Sequence, residues 1–357
     1  MVRTVLQRTP DLIVAAGDGV TAVALSHDGG TIALGSTAGP IRLLRAGTLE
    51  PVATLDYPGH GPVNGLTFTS DGRRLVSWGG SRTSAGTDAA SIVVWDVASR
   101  RPTGTAFGQV WPDQGGGLVA DGVTLVLLQH GRDPQAPATA VAWNIEARTP
   151  STAYPLPTST VDSLVVSGDG GRLAIGSSSG TIVLTLANGS SRHLAGARPL
   201  AFSPDGKSLL AAAGNDLQVW DVIRGEAKSF QAHRGQVLGA AWAPDGGSFA
   251  TVGGDGTAVV WNTESLTPLR SFSAGPLPMT VVAFGSDSQT LYTVGTGGAI
   301  LAWDLAGSRG IATVLASTTD SDSGLLTLAC NLAGRDLTEA EWRTYLPDRP
   351  YRDVCPG

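Results

Sequence analysis

Residues 233–262 read HRGQVLGAAWAPDGGSFATVGGDGTAVVWN, and this stretch decides the fold. Gln236 to Trp242 is apolar and partly alternating. Pro244-Asp245-Gly246-Gly247 is turn chemistry, because Pro presets φ and Gly permits positive φ. Ser248 to Val252 is a second β-prone run, and Gly253-Gly254-Asp255-Gly256 turns the chain again before Thr257 to Trp261. Strands joined by turns this short are antiparallel neighbours. Pro268 to Phe272 offers a fourth strand. Such a four-stranded sheet is apolar on both faces and cannot bury them alone. Copies stacked around an axis cover each other's faces.

The pattern recurs seven times. Its first turn returns as Asp28-Gly29, Asp71-Gly72, Asp121-Gly122, Asp169-Gly170, Asp205-Gly206, Asp245-Gly246 and, degraded, Asp287-Ser288, at separations of 36 to 50 residues. A third-strand aromatic follows as Trp95, Trp143, Trp220, Trp261 and Trp303, with Leu44 and Thr185 in the weak copies. The step from that Asp to the third-strand position is longer in copies two and three, which places an insertion between their second and third strands. These are Gly79 to Asp88 and Gly131 to Pro137.

On Ser203-Pro204-Asp205-Gly206-Lys207, Trp95-Asp96, Trp220-Asp221, Trp303-Asp304 and Gly59-His60, the chain resembles the WD40-repeat family over roughly residues 12–316. The resemblance implies an all-β, seven-bladed β-propeller. It also implies a structural hydrogen-bonded set of His, Ser or Thr, Asp and Trp in each complete blade. Only the sixth copy carries all four, as His233, Thr251, Asp255 and Trp261. The second keeps His60, Ser77 and Trp95, and the fifth has Ala211 where the hydroxyl belongs.

Taken in order, residues 1–19 are expected to supply a strand that closes the last blade, and residues 20–316 the seven blades. Two segments compete for the closing place, Leu12 to Ala16 and Gly310 to Leu315. After a polar linker beginning at Ser317, Leu325 to Leu332 has helical spacing. Thr338 with Glu341 reads as a capping box for a second short helix. A helical hairpin over 317–357, packed on the propeller, is therefore expected. The run from Ala329 to Thr338, with Glu341-Trp342, Tyr345-Leu346-Pro347 and Pro350-Tyr351-Arg352, resembles the tail that follows WD40 arrays in bacterial STAND-type signalling NTPases. Both cysteines, Cys330 and Cys355, lie in this tail; a reducing cytosol favours a thiol pair, and a disulfide stays open in an oxidised sample.

Net charge is −6 and no Lys/Arg run exceeds two residues, which argues against nucleic acid or an anionic membrane as partner. No apolar stretch approaches the roughly 20 residues needed to span a bilayer. The expectation is a cytoplasmic monomer. Gly176-Ser177-Ser178-Ser179-Gly180 mimics a nucleophile elbow, but it joins two strands rather than a strand to a helix. The five histidines show no metal-ligand spacing and no CxxC occurs, so no metal or cofactor is expected.

The resulting reading is a non-catalytic scaffold or sensor that binds a protein partner. The loop between strands two and three shares a rim with the loop entering strand one, so both insertions project from one rim on adjacent blades. Trp78, Arg82, Trp111, His130 and Arg132 are the candidate contacts there. The alternative is a small-molecule or catalytic site in the central channel. That reading needs converging acidic or His side chains, whereas the inner-strand positions are mostly Ala, Val, Leu and Gly, with Asp162 an exception.

Overall fold

The computed structural model describes residues 12–15, 19–57, 61–79, 91–108, 116–119, 121–129, 137–156, 161–273, 277–296, 299–306 and 313–315. Most of both insertions and the expected helical tail with Cys330 and Cys355 lie outside these residues. Among the described residues every regular element is a strand. The strands form seven sheets, six of four strands and one of five. Except in the last sheet, strands pair in chain order. This is the blade count and connectivity of a seven-bladed β-propeller.

The chain divides into two compact units. Residues 1–20, 47–50 and 231–357 carry blades six and seven, and residues 21–46 and 51–230 carry blades one to five. In the first unit, blade six pairs Val237–Trp242, Ser248–Gly253, Thr257–Asn262 and Pro268–Ser273 in order, all antiparallel. Alternation sends Ala250, Val252, Ala258 and Val260 to one face, where they pack with Met279, Leu291 and Trp303 of blade seven. The second unit repeats this arrangement. Ala33, Ile41 and Leu43 of blade one pack with Leu75, Val93 and Trp95 of blade two. Val76, Ile92 and Val94, from the opposite face of blade two, pack with Leu125, Leu127 and Val141 of blade three.

The Asp-Gly turn is rebuilt with the same bonds in several blades. In blade four, Ser167 Oγ donates to Asp169 Oδ1 at 2.6 Å, Gly171 N donates to the same oxygen at 2.9 Å, and Arg172 N donates back to Ser167 Oγ at 2.9 Å. The Ser167 hydroxyl bond is the main cause holding the Asp169 carboxyl below its usual range. Gly170 sits at φ 68°, a conformation that favours glycine. In blade seven Ser288 takes that place at φ 55°. Its hydroxyl accepts the Asp245 N–H of blade six at 3.3 Å, a contact glycine could not make.

Blade seven consists of Met279–Phe284, Thr290–Gly295 and Ala299–Asp304, then Leu12–Ala15 antiparallel to the third strand, then Thr313–Leu315 parallel to Leu12–Ala15. Part of each segment that competes for the closing place in the sequence, Leu12–Ala15 and Thr313–Leu315, is thus in the sheet.

One position needs correction. In blade four the register pairs Leu173 with Leu184, as Phe249 pairs with Trp261 in blade six, so Leu184 rather than Thr185 is the third-strand equivalent. The Ser177–Gly180 hairpin has two loop residues, one fewer than the turn between Gly253 and Thr257, and this shortens the step by one. The same hairpin makes residues 176–180 a strand-to-strand turn.

Candidate functional site

Blade six holds the four residues of the expected set together. Trp261 Nε1 donates to Thr251 Oγ1 at 2.9 Å. Nδ1 of His233 faces the ionised Asp255 carboxylate, which can only accept, so Nδ1 carries the proton and Nε2 accepts the Thr251 hydroxyl proton at 2.8 Å. Nδ1 faces Asp255 Oδ1 at 3.1 Å and Thr257 Oγ1 at 2.9 Å. Asp255 also takes the Arg234 N–H at 2.7 Å and the Thr257 hydroxyl at 2.7 Å. Burial pushes the His233 imidazole below its ordinary value, and the opposing pull of Asp255 does not overcome it. Burial raises the Asp255 carboxyl, but the bonds from Thr257 and Arg234 more than offset this, leaving it lowered overall. The histidine is therefore a neutral connector. Gly253 gives its ring room, since a Cβ there would lie 2.7 Å from it. Thr257 is a fifth member that the sequence pattern did not single out.

The register carries the comparison to the other blades. In blade two Trp95 Nε1 donates to Ser77 Oγ at 2.8 Å, and in blade seven Trp303 Nε1 donates to Thr293 Oγ1 at 2.9 Å. Thr293 was legible, because it lies as far before Trp303 as Thr251 does before Trp261. In blade five Ala211 supplies no hydroxyl, and Trp220 turns to Gln218 Oε1 on its own strand at 2.8 Å. In blade three Leu127 fills the hydroxyl position, and the buried Trp143 N–H has no partner. Blade four has Leu184 and Ile175 at these places and needs no bond.

Of the five candidate rim residues, only Trp78 is among the described residues, and it is not a surface side chain. It is 5% exposed and packs with Val76, Ile92, Leu125 and Leu127. Its ring lies over Gly65, where a Cβ would come within 2.0 Å. Alternation puts residues 76 and 78 on the same inward face, and the glycine opposite opens the space. Trp78 is a packing residue. Arg82, Trp111, His130 and Arg132 lie outside the described residues, as does His60.

Among the described residues no group of three or more His, Cys, Asp or Glu side chains could hold a metal ion, and no helix is long and apolar enough to cross a membrane. Asp162, the one acidic exception near an inner strand, is exposed and precedes Ser163–Val166 of blade four.

Residues 49–96 and 225–262, each spanning the outer strand of one blade and the first three strands of the next (blade two and blade six), match the family described as "WD domain, G-beta repeat". Two blades match the WD40 family. These are the blades in which Trp95–Ser77 and Trp261–Thr251 form the expected bond. Similar stretches occur in proteins much longer than the matched segments. Coronin-7 of Bos taurus is 30% identical over 183 residues, 44% of this chain and 19% of the relative. The intraflagellar transport protein 122 homolog of Mus musculus is 38% identical over 66 residues, 18% of this chain and 6% of the relative. Apoptotic protease-activating factor 1 of Homo sapiens is 30% identical over 116 residues, 32% of this chain and 9% of the relative. The chain thus spans less than a fifth of each of these relatives. The likeness to WD40 relatives supports a protein-interaction propeller.

Proposed function

We propose that this chain is a non-catalytic WD40 scaffold or sensor that recognises a protein partner through the rim bearing the blade-two and blade-three insertions. The observation that carries this reading is the contrast between repetition and departure. Blade after blade repeats the same strands and turns. Added length comes at the second-to-third-strand connection of two adjacent blades. Loops held by a rigid scaffold are where contact residues concentrate. With Trp78 buried, the proposed contacts are Arg82, Trp111, His130 and Arg132. Arg and aromatic side chains of this kind carry a large share of binding energy at protein interfaces. The proposed setting is a cytoplasmic monomer in bacterial signalling, supported by the resemblance of residues 329–352 to tails of STAND-type proteins. The relatives named above come from animals.

The test is affinity capture from the source organism with quantitative mass spectrometry, comparing the intact chain with one lacking residues 80–89 and 131–137. Loss of the specific partners from a variant that keeps its β-sheet circular dichroism supports the rim. Unchanged partners overturn it.

A further inference from the structure

Among the described residues blade seven has one more strand than any other blade, and the extra strand is arranged so that it could replace its neighbour. The third strand, Ala299–Asp304, pairs with Leu12–Ala15 in the register Leu12↔Ala302 to Ala15↔Ala299. Thr313–Leu315 then pairs with the far side of that strand, in the register Leu12↔Thr313 to Val14↔Leu315. Leu12–Ala15 runs antiparallel to the third strand and Thr313–Leu315 runs parallel to Leu12–Ala15, so Thr313–Leu315 is antiparallel to the third strand. That is the polarity direct pairing would require. The linking residues 305–312 are long enough for a hairpin connection.

Blade six supplies the measure. There the outer strand begins at Pro268, which pairs with Trp261. The same step from Trp303 lands on Gly310, at the head of Gly310-Ile311-Ala312-Thr313-Val314-Leu315. The chain therefore contains two segments of correct polarity for one sheet edge. One is joined to the edge through a short link, the other through the length of the propeller. The local segment has the smaller loop-closure cost, while the distant one holds the place next to the third strand in the observed sheet.

We propose that blade seven is a strand-exchange device. In the observed state Leu12–Ala15 occupies the fourth place and Thr313–Leu315 rides outside it. In the alternative state Thr313–Leu315 takes the fourth place and Leu12–Ala15 is released. The two segments are then coupled, so whatever holds one shifts the occupancy of the other by its differential affinity for the two states.

Hydrogen exchange read by mass spectrometry on the full chain and on a variant lacking residues 1–16 tests this. Exchange predicts that the variant folds, that amides at 313–315 slow by at least about 10-fold relative to the full chain, and that amides at 299–304 keep their protection. Adding Val314→Pro to the deletion should then strip protection from 299–304, because proline cannot donate to the ladder. The same substitution in the full chain should leave 299–304 protected, since Leu12–Ala15 still fills the place. A deletion variant that does not fold, or that folds with 313–315 exchanging as in the full chain, overturns the proposal.

Discussion

In blade six the third strand carries Trp261, whose N–H is linked through Thr251 to His233 and Asp255. In blade four the two central positions are Leu184 and Ile175, both buried and neither able to hydrogen-bond. Polar contacts of blade four lie at its margin instead. Arg192 donates to the Ile223 and Arg224 carbonyls of blade five at 3.1 and 3.3 Å, and Arg172 donates to the Gly206 carbonyl at 3.2 Å. Replacing donor and acceptor together with apolar groups can be nearly neutral, whereas removing one alone leaves a buried orphan. Blade three shows the half-way case, with Trp143 retained and Leu127 opposite its N–H. The repeat thus survives both loss of the whole polar set, in blade four, and loss of one member, in blades three and five.

The largest effect should come from breaking blade six in the middle. Thr251→Val strands the Trp261 N–H and the His233 Nε2 together and should cost about 2–4 kcal/mol in urea unfolding, with faster amide exchange across 248–262. Ile175→Val at the matching position of blade four should cost about 1 kcal/mol. Equal costs would remove the distinction between the two blades. Next, Gly65→Ala should cost about 1–3 kcal/mol by driving its Cβ into the Trp78 ring. Gly117→Ala, whose Cβ would meet Val166 at 3.4 Å, should lower the melting temperature less.

A smaller effect separates the blades by pH. The His233 pKa is lowered in the fold, so its contribution is present above its ordinary value of 6.5 and is lost as pH falls below it. Asp255 is lowered too, so its contribution is lost at still lower pH. Amide exchange in blade six, corrected for intrinsic rates, should therefore accelerate between pH 7 and pH 5 relative to residues 172–185 of blade four. Parallel behaviour would mean that His233 does not titrate against the fold. The smallest change should follow Trp143→Phe, which keeps a ring and removes an unpaired donor. It should alter stability by less than about 1 kcal/mol, whereas Trp261→Phe removes a bond that is made.

Much of this was legible because Asp-Gly turns and third-strand tryptophans are local signals that recur without help from distant residues. His233, Thr251, Asp255 and Trp261 could be assembled from one stretch of chain. What escaped depended on register or on contacts across strands. Leu184 was displaced to Thr185 by a hairpin one residue shorter than its counterpart. Trp78 looked like a rim residue because it stands beside an insertion. Its burial depends on Gly65, on another strand, and on blade three behind it. Gln218 as the partner of Trp220 follows only once Ala211 is seen opposite it. The closing place of blade seven could not be awarded to one segment from spacing, and the sheet contains part of each.

The most direct test of the scaffold account is hydrogen exchange on the intact chain with and without its captured partner. The account predicts slowed exchange confined to residues 80–90, 109–115 and 130–136, with blade-six amides at 248–262 unchanged. Protection appearing in the blade strands while those three loops exchange as before would contradict it.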